Sequence, residues 1–378
     1  MKKLHMMIAL AATIAIVFCG VLSACKPETP SPEPVDTNPA TQPQETDPTD
    51  TEPADTDPVD TDPADTDPAD TEPTDTDPVE TDPVETDPVD PPADIGLEYE
   101  MGDDGYYVIT GIGTYELDEV VVPSTVNGIQ IKAIADEAFM NCDLIKSITI
   151  HDGIEVIGKS AFEDCDNLQK VVLPATLVSI EDRAFASAFS VNELTIPESV
   201  THIGEGVFGG CAYILEKVNN VFYVGNWAFS AIIEQGSDLT FREGTIGIAD
   251  RLAWYAKPKS VTIPEGVKYI GSEAFADSPA ATISLPSTLV IIGESAFANC
   301  AGLPSELDLS SITELGAAAF VGGATVQKIT LGPDIANIPN TTFAKTHNLK
   351  EVVIMSGDSA LTGAFKYSQS AGINFVYP

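Results

Sequence analysis

The sequence predicts that residues 95–378 form a repeat solenoid rich in short strands. Phenylalanine recurs there at intervals of 22 or 23 residues, an aliphatic residue precedes almost every ring by five positions, and a short alternating strand lies further upstream. One such unit cannot bury its apolar side chains alone, whereas stacked units share a continuous core. The predicted fold class is therefore an α/β solenoid with one short parallel strand and one short helical turn per repeat of about 23 residues.

The apolar positions of the units line up in two columns. The rings are Phe139, Phe162, Phe185, Phe208, Phe275, Phe297, Phe320 and Phe343. The preceding aliphatics are Ile134, Ile157, Ile180, Ile203, Val224, Ile270, Ile292, Leu315 and Ile338. Each buried side chain of this kind contributes about 1.5–3 kcal/mol. Beyond Phe343 the spacing decays, so residues 373–377 are expected to form a final capping strand, and residues 106–110 an opening strand.

The strand segments alternate in polarity, as in Ile148-Thr149-Ile150. Because side chains along a strand point to opposite faces in turn, the middle residue should point away from the core. These outward residues are Thr149, Val172, Thr195, Thr262, Ser284, Asp308, Thr330 and Val353. Stacking would bring them about 5 Å apart on the concave side. We therefore predict that Thr149, Thr195, Thr262, Ser284 and Thr330 bind a ligand, although threonine also simply suits parallel strands.

One motif connects the chain with a known family. The segment Ile157 to Cys165 reads Ile-Gly-x-x-Ala-Phe-x-x-Cys and resembles the repeat of the BspA-like leucine-rich repeat family. The resemblance covers about residues 111–353, and residues 223–227 and 244–250 are similar to a longer repeat variant of that family. It implies a curved leucine-rich-repeat superhelix on a bacterial surface protein, and a role in adhesion for some members.

The first 24 residues have the form of a secretory signal peptide. Lys2 and Lys3 precede an apolar run that is too short to be a stable membrane span. The following Leu22-Ser23-Ala24-Cys25 resembles a bacterial lipobox, which implies that Cys25 carries the lipid after cleavage. Acyl chains would then hold the protein on the outer side of the membrane. The alternative is ordinary cleavage that leaves Cys25 as a free thiol.

Residues 25–94 are predicted to be a disordered acidic stalk. Proline recurs about every five residues, aromatic residues are absent, and Lys26 is the only base among many Asp and Glu residues. Like charges and missing backbone donors keep such a chain extended. The carboxylates suit calcium, but proline holds them apart, so loose counterion association is the better interpretation.

The remaining polar residues do not indicate catalysis. Cys142, Cys165, Cys211 and Cys300 each follow a repeat position by three residues, which favours buried packing thiols over a metal site, with a Cys142–Cys165 disulfide as the alternative. His151, His202 and His347 lie near turns or outer faces without a recurring Ser or Asp beside them. We predict no catalytic residues, no metal and no cofactor.

These observations predict a monomeric, lipid-anchored surface protein that binds an extracellular protein or glycan. The formal net charge of −40 opposes nucleic acid binding, because phosphate recognition needs a basic face. The alternatives are a structural spacer without a specific ligand and an accessory binding module of an exported enzyme or transport system. A spacer would show no saturable ligand, and an enzyme would need a deep pocket with converging titratable groups.

Overall fold

The computed structural model describes residues 96–114 and 118–378. These residues form a solenoid of about 12 turns built almost entirely from short strands. The predicted signal peptide, the lipidated Cys25 and the acidic stalk lie outside the described residues, as do the domain boundaries near positions 24 and 94. Within the described ranges, no helix has the length and apolar character needed to cross a membrane.

Twenty-five strands and one 3-10 helix make up the solenoid. In chain order the elements are β1 (Glu98–Met101), β2 (Tyr107–Gly111), β3 (Glu119–Val122), β4 (Thr125–Val126), β5 (Ile129–Ile134), β6 (Ser147–Ile150), β7 (Val156–Ile157), β8 (Lys170–Val172), β9 (Ser179–Ile180), β10 (Glu193–Leu194), β11 (His202–Ile203), β12 (Glu216–Val218), β13 (Val221–Val224), β14 (Trp227–Ala231), β15 (Asp238–Thr240), β16 (Gly247–Ile248), β17 (Ser260–Thr262), β18 (Tyr269–Ile270), β19 (Thr282–Ser284), β20 (Ile291–Ile292), β21 (Glu306–Leu309), β22 (Glu314–Leu315), β23 (Lys328–Leu331), β24 (Glu351–Ile354), the 3-10 helix Ser359–Phe365 and β25 (Asn374–Val376).

Each regular turn of the solenoid contributes one strand to a front face and one to a back face. The front face consists of three parallel sheets with the strand orders β3-β6-β8-β10, β15-β17-β19 and β21-β23-β24-β25. The back face has one sheet running from β2 through β5, β7 and β9 to β11, and another running from β14 through β16, β18 and β20 to β22. The predicted strand-rich solenoid is thus confirmed.

The segment around each Ala-Phe pair is a tight double turn, where a short helical turn was expected. In one unit Glu137 and Asn141 both have positive φ, near 60°, which an α-helix cannot contain. The backbone N–H groups of Glu137, Phe139 and Asn141 donate to carbonyl groups of the next unit at 2.8, 2.8 and 2.9 Å. The turns therefore stack through backbone hydrogen bonds, as the strands do.

The glycine of the Ile-Gly motif is explained by this stacking. A Cβ atom on Gly158 would lie 2.5 Å from the backbone nitrogen of Asp136 in the preceding unit. On Gly316 it would lie 2.3 Å from the nitrogen of Glu294. Neighbouring turns approach so closely at these positions that only glycine fits between their backbones.

The predicted phenylalanine column is confirmed as the centre of the core. Its rings are fully buried and stack in parallel, with centroids 5.0 Å apart for Phe139 and Phe162 and 5.1 Å apart for Phe162 and Phe185. The predicted decay beyond Phe343 is wrong, because Phe365 of the 3-10 helix stacks on Phe343 at 4.9 Å. The column therefore continues into the C-terminal cap, where residues 374–376 form the last strand.

The regular stacking is broken once, by a segment that we call the interruption (residues 212–237). Here β12, β13 and β14 form an antiparallel meander instead of a front strand, a back strand and a turn. Because of this change, the hydrophobic core falls into two clusters that meet at the meander. The unit after the interruption stacks on the unit before it, with the Asp250 N–H donating to the Ile203 carbonyl at 3.0 Å.

Candidate ligand-binding face

The structure places the predicted ligand-binding residues on the front face, where strand alternation turns their side chains outward. Thr195, Thr262 and Ser284 are exposed, whereas Thr149 and Thr330 are half-buried. Thr262 pairs in register with Ser284, and Thr330 lies between Asp308 and Val353. These residues therefore form rows that cross neighbouring strands. We call them the neutral row.

The neutral row comprises three segments, one in each front sheet. Thr149 and Val172 belong to the first sheet, and Thr195 follows the end of β10. The second segment includes Thr240, which pairs with Thr262 and which the sequence reasoning missed. Its signal was available, since Thr240 follows the buried Leu239 in an alternating strand, but the interruption displaces it from the regular spacing.

A second row of outward residues lies beside the neutral row and was not predicted. It occupies the position two residues earlier in each strand and is mostly charged. Its members are Glu119, Ser147, Lys170, Glu193, Asp238, Ser260, Thr282, Glu306, Lys328, Glu351 and Asn374. Period-two alternation alone could have identified this charged row. Most of its charges are negative.

The basic residues of the charged row are paired across strands. Lys170 lies 3.0 Å from Glu193, and Lys328 lies 2.9 Å from Glu351. Hydrogen bonding between Lys328 and Glu351 raises the pKa of the lysine and lowers the pKa of the glutamate. Such exposed pairs contribute little to stability. Because both lysines are neutralised, the remaining carboxylates give the front face its negative character.

An open cleft of about 600 Å³ lies at the end of the first front sheet. Its walls include Val172, Leu173, Leu194, Thr195 and Pro197. Val172 is 40% exposed, which is unusual for a strand valine in this solenoid. β10 pairs only with β8, so it forms the edge of its sheet beside the cleft. This part of the neutral row is therefore the most recessed and the most apolar.

The inward neighbours of the neutral row differ in burial along the solenoid. Val261 and Ile263, which flank Thr262, are buried as predicted. Leu194 and Ile196, which flank Thr195, are only half-buried because the interruption does not supply the next regular front strand. The expectation that both pairs are equally enclosed is therefore wrong for the β10 unit.

The histidine outcome also differs from the prediction. His202 is half-buried between two carboxylates, with Nε2 3.8 Å from Glu181 and Nδ1 3.7 Å from Asp250. Burial raises the pKa of the Asp250 carboxyl to about 6, although His202 and the Ser272 N–H, 2.6 Å away, both act to lower it. This cluster joins the units on either side of the interruption. The sequence could not reveal it, because the interruption separates Asp250 from the other two residues.

The cysteines are buried free thiols, as the packing interpretation predicted. Cys142 and Cys165 are not bridged, so the disulfide alternative is wrong. The thiols of Cys165, Cys211 and Cys300 donate to backbone carbonyls at 3.0–3.1 Å, in each case that of a Phe two ring positions or one unit earlier in the column. Burial raises the pKa of Cys211 and Cys300 to about 12. Residues 96–114 and 118–378 contain no group of three or more His, Cys, Asp or Glu side chains arranged to hold a metal ion.

Comparisons with known proteins identify the repeat. A family model described as the BspA type leucine rich repeat region matches six copies, over residues 132–251 and 248–371. No curated protein gave a significant match.

Several solved structures are similar to the chain. A leucine rich cell surface protein from Faecalibacterium prausnitzii A2-165 is 20% identical, with 74% of this chain and 97% of that chain covered and a TM-score of 0.37. The T. pallidum leucine rich repeat protein is 20% identical, with 76% and 99% covered and a TM-score of 0.34. The pneumococcal vaccine antigen PcpA is 19% identical, with 74% and 82% covered and a TM-score of 0.37. Since the family model matches more than half of the sequence, the chain belongs to the BspA-type leucine-rich repeat family.

Proposed function

We propose that the chain is a cell-surface lipoprotein whose solenoid binds an extracellular protein or glycan through the front face. The observation that carries this proposal is the neutral row of exposed, uncharged side chains such as Thr195, Thr262 and Ser284, held in register on stacked strands. Repeat proteins of this kind offer extended surfaces of stacked strands for binding.

The shape of the face favours an extended ligand over a small molecule. Small-molecule sites usually enclose most of their ligand in a concave pocket. The cleft beside β10 is instead open, and the rest of the neutral row is a surface of strands. A polymer or a protein surface can contact several units at once, with the cleft lined by Val172 and Leu194 as its apolar anchor point.

The charges around the neutral row restrict the ligand further. Glu119, Asp238, Glu306 and Asp308 add negative charge to the face, while Lys170 and Lys328 are paired with glutamates. An anionic polymer would be repelled, since like charges facing each other are costly across an interface. An uncharged or basic ligand fits the face.

A double variant tests the front face. Thr195→Glu with Thr262→Glu places bulky charges in the neutral row without changing the buried Val261 and Ile263. We expect the thermal midpoint to stay within about 2 °C, because surface substitutions usually cost less than about 0.5 kcal/mol. Capture of ligands on an array of glycans and extracellular matrix proteins should be lost.

A matched control carries the same charge on the other side of the solenoid. Thr201 and Thr313 directly precede the back strands β11 and β22, at a position where other units already have Glu155 and Lys268. Thr201→Glu with Thr313→Glu should keep both the thermal midpoint and ligand capture. Unchanged capture by the front-face variant would place the binding site elsewhere.

The surface location is proposed from the lipobox-like sequence ending at Cys25. Lipid chains would supply almost all of the membrane affinity. Cys25→Ala should therefore move the protein from the membrane fraction to the soluble fraction of its native cell. Retention of the variant on membranes after a high-salt wash would contradict lipid anchoring.

The ends of the solenoid support a monomer. The β1–β2 hairpin covers the first repeat, and the 3-10 helix with β25 covers the last one, so neither end presents an open core to a second copy. Light scattering of the protein should give the mass of one chain.

A further inference from the structure

Two aromatic side chains are exposed on the first turn after the interruption. Trp254 is 40% exposed and Tyr255 is 60% exposed. Their ring centroids lie 4.6 Å apart and their planes are tilted by 49°. They form a contiguous aromatic surface, which we call the aromatic pair, away from the front face. The core has no use for either ring, because Ala253 occupies the inward position of this unit and is buried.

The backbone at Tyr255 is strained. Its φ is +52°, in the left-handed region that bulky residues rarely adopt. The equivalent position has positive φ in eight other units, where it is Asn141, Asp164, Ser187, Gly210, Asp277, Asn299, Gly322 and Lys345. Asn, Asp and Gly tolerate this conformation far better than tyrosine does. Stability alone would favour one of those residues, so the aromatic ring at position 255 points to a binding role.

Polar groups surround the aromatic pair and are already balanced in charge. The Arg251 guanidinium lies 4.8 Å from the centre of the Trp254 ring system, 2.9 Å from Glu205 and 3.0 Å from Glu273. These contacts raise the pKa of Arg251, so it stays charged at all relevant pH values. All three polar side chains remain partly exposed, at 37%, 48% and 30%. They can still form hydrogen bonds with a ligand.

The neighbouring turns leave room above the rings. On one side the Tyr255 N–H donates to the carbonyl of the small Ala276, 3.2 Å away. On the other side the Arg251–Glu205 ion pair places the turn beside the unit that ends in Gly209-Gly210, because the interruption supplies no regular turn of its own. The aromatic pair therefore rises above low neighbours and can be reached by a broad ligand.

We propose that the aromatic pair is a binding site for neutral glycans. A pyranose ring has a face of C–H groups that packs on an aromatic ring, and its hydroxyl groups accept from guanidinium groups and donate to carboxylates. Trp254 and Tyr255 supply the rings, and Arg251, Glu205 and Glu273 supply both kinds of polar partner. The two carboxylates disfavour anionic glycans. The tilt between the rings suits two sugar units that are rotated relative to each other.

The two tryptophans of the chain allow this proposal to be tested with the whole protein. Trp227 is only 1% exposed, so a ligand-induced change in tryptophan emission would report on Trp254. The probes are neutral oligosaccharides, namely cellohexaose, chitohexaose, mannohexaose and xylohexaose, with hexagalacturonate as the anionic comparison and tetramethylammonium as a simple cation. We expect a saturable shift with at least one neutral oligosaccharide and none with hexagalacturonate.

Two single variants separate binding from folding. Tyr255→Asn should weaken oligosaccharide binding about tenfold or more, as expected for the loss of one aromatic contact, while the thermal midpoint stays the same or rises. Tyr367→Ala removes another exposed tyrosine, 46% exposed beside Lys366, and should leave binding unchanged. Trp254→Ala should abolish binding measured by calorimetry.

Three results would overturn the proposal. One is the absence of a saturable shift with every neutral oligosaccharide, and another is equal binding by parent and Tyr255→Asn. The third is a shift with tetramethylammonium alone, which would make the aromatic pair a cation site. The front-face variant Thr195→Glu with Thr262→Glu should keep oligosaccharide binding at the aromatic pair, so a failure of one proposal does not imply a failure of the other.

Discussion

The regular repeats and the interruption are stabilised by different kinds of contact. In the regular units, backbone hydrogen bonds join neighbouring strands and turns, and the phenylalanine rings stack in parallel at 5.0–5.9 Å. At the interruption the parallel stacking ends. Phe229 meets Phe208 edge-on at 6.0 Å, and Phe241 meets Phe275 edge-on at 6.2 Å.

Side chains at the interruption take over the role of the missing backbone ladder. The buried Trp227 lies parallel to Tyr269 at 5.9 Å, and Gly247 leaves the space that its ring needs. Arg242 holds the meander, since its backbone N–H donates to the Tyr223 hydroxyl at 3.0 Å and its guanidinium lies over the Tyr223 ring. The Arg251 and His202 contacts connect the units on either side.

This difference shows where the chain has room for function. Every regular unit must keep the same turns, rings and glycines, so its sequence is largely determined by stacking. The interruption relaxes these requirements for the units beside it. The open cleft next to β10 lies immediately before it, and the aromatic pair at Trp254 and Tyr255 lies immediately after it.

The largest expected effect comes from breaking the regular column. Phe162→Ala should lower the free energy of unfolding by about 3–5 kcal/mol, because the buried ring is stacked on both sides and leaves a cavity. Phe241→Ala should cost less, about 2–3 kcal/mol, since Phe241 has one ring neighbour and is not fully enclosed. Chemical unfolding followed by circular dichroism measures both. A loss below about 1 kcal/mol for Phe162→Ala would contradict its core role.

A smaller effect is expected where turns approach each other. Gly316→Ala should destabilise the protein by about 1–3 kcal/mol, because the new methyl group would lie 2.3 Å from the Glu294 backbone nitrogen. Gly363→Ala is the matched control, since a Cβ atom there would meet no atom within 4 Å. Equal stability of the two variants, measured by the same unfolding method, would show that the turns can separate without cost.

The junction across the interruption should respond to pH through Asp250. Its pKa is raised from 3.8 to about 6, so the folded state binds more protons than the unfolded state between these values. The stabilising contribution of this group is full below about pH 4 and is lost as the pH rises through about 6. Asp250→Asn should therefore gain stability over the parent as the pH rises, on the order of 2 kcal/mol at pH 8.

This pH effect is read as the difference between variant and parent in unfolding free energy at pH 4, 6 and 8. The difference removes the contribution of the many other carboxyl groups. The asparagine can still accept the hydrogen bond from Ser272, so the local structure should be kept. A pH-independent difference would mean that Asp250 is not protonated more readily in the folded protein.

The smallest effect concerns the buried thiols of the regular units. Because burial raises the pKa of Cys211 and Cys300 to about 12, neither forms much thiolate at pH 8. Both should resist alkylation by iodoacetamide in the folded protein and react after unfolding. Peptide mass spectrometry reports each cysteine separately. Rapid labelling of either residue without unfolding would contradict the tight stacking of its unit.

The sequence predicted the regular units well because each of their contacts recurs at a fixed spacing. Ile157 and Phe162 announce their own burial, and the outward direction of Thr262 follows from strand alternation. The helical turn was predicted wrongly, because Ala-Phe pairs do not reveal the positive φ at Ser160 and Asp164. Phe365 was missed as a column member, since its unit has a 3-10 helix in place of a back strand.

The interruption could not be predicted, because its contacts join residues without a common spacing. The approach of Asp250 to His202 and of Arg251 to Glu205 depends on how many residues the meander removes from the stack. The candidate front face was therefore located in part. The neutral row was predicted, whereas its three segments, the charged row beside it and the cleft at β10 required the structure.

The central claim is that this solenoid binds an extracellular ligand and does not serve only as a spacer. The most direct measurement is equilibrium binding of the whole protein to an array of neutral glycans, anionic glycans and extracellular matrix proteins over a range of protein concentrations. Our account predicts saturable binding to at least one neutral glycan or protein and none to the anionic glycans. Signals that rise linearly with concentration on every spot would contradict it and would leave the spacer role as the better explanation.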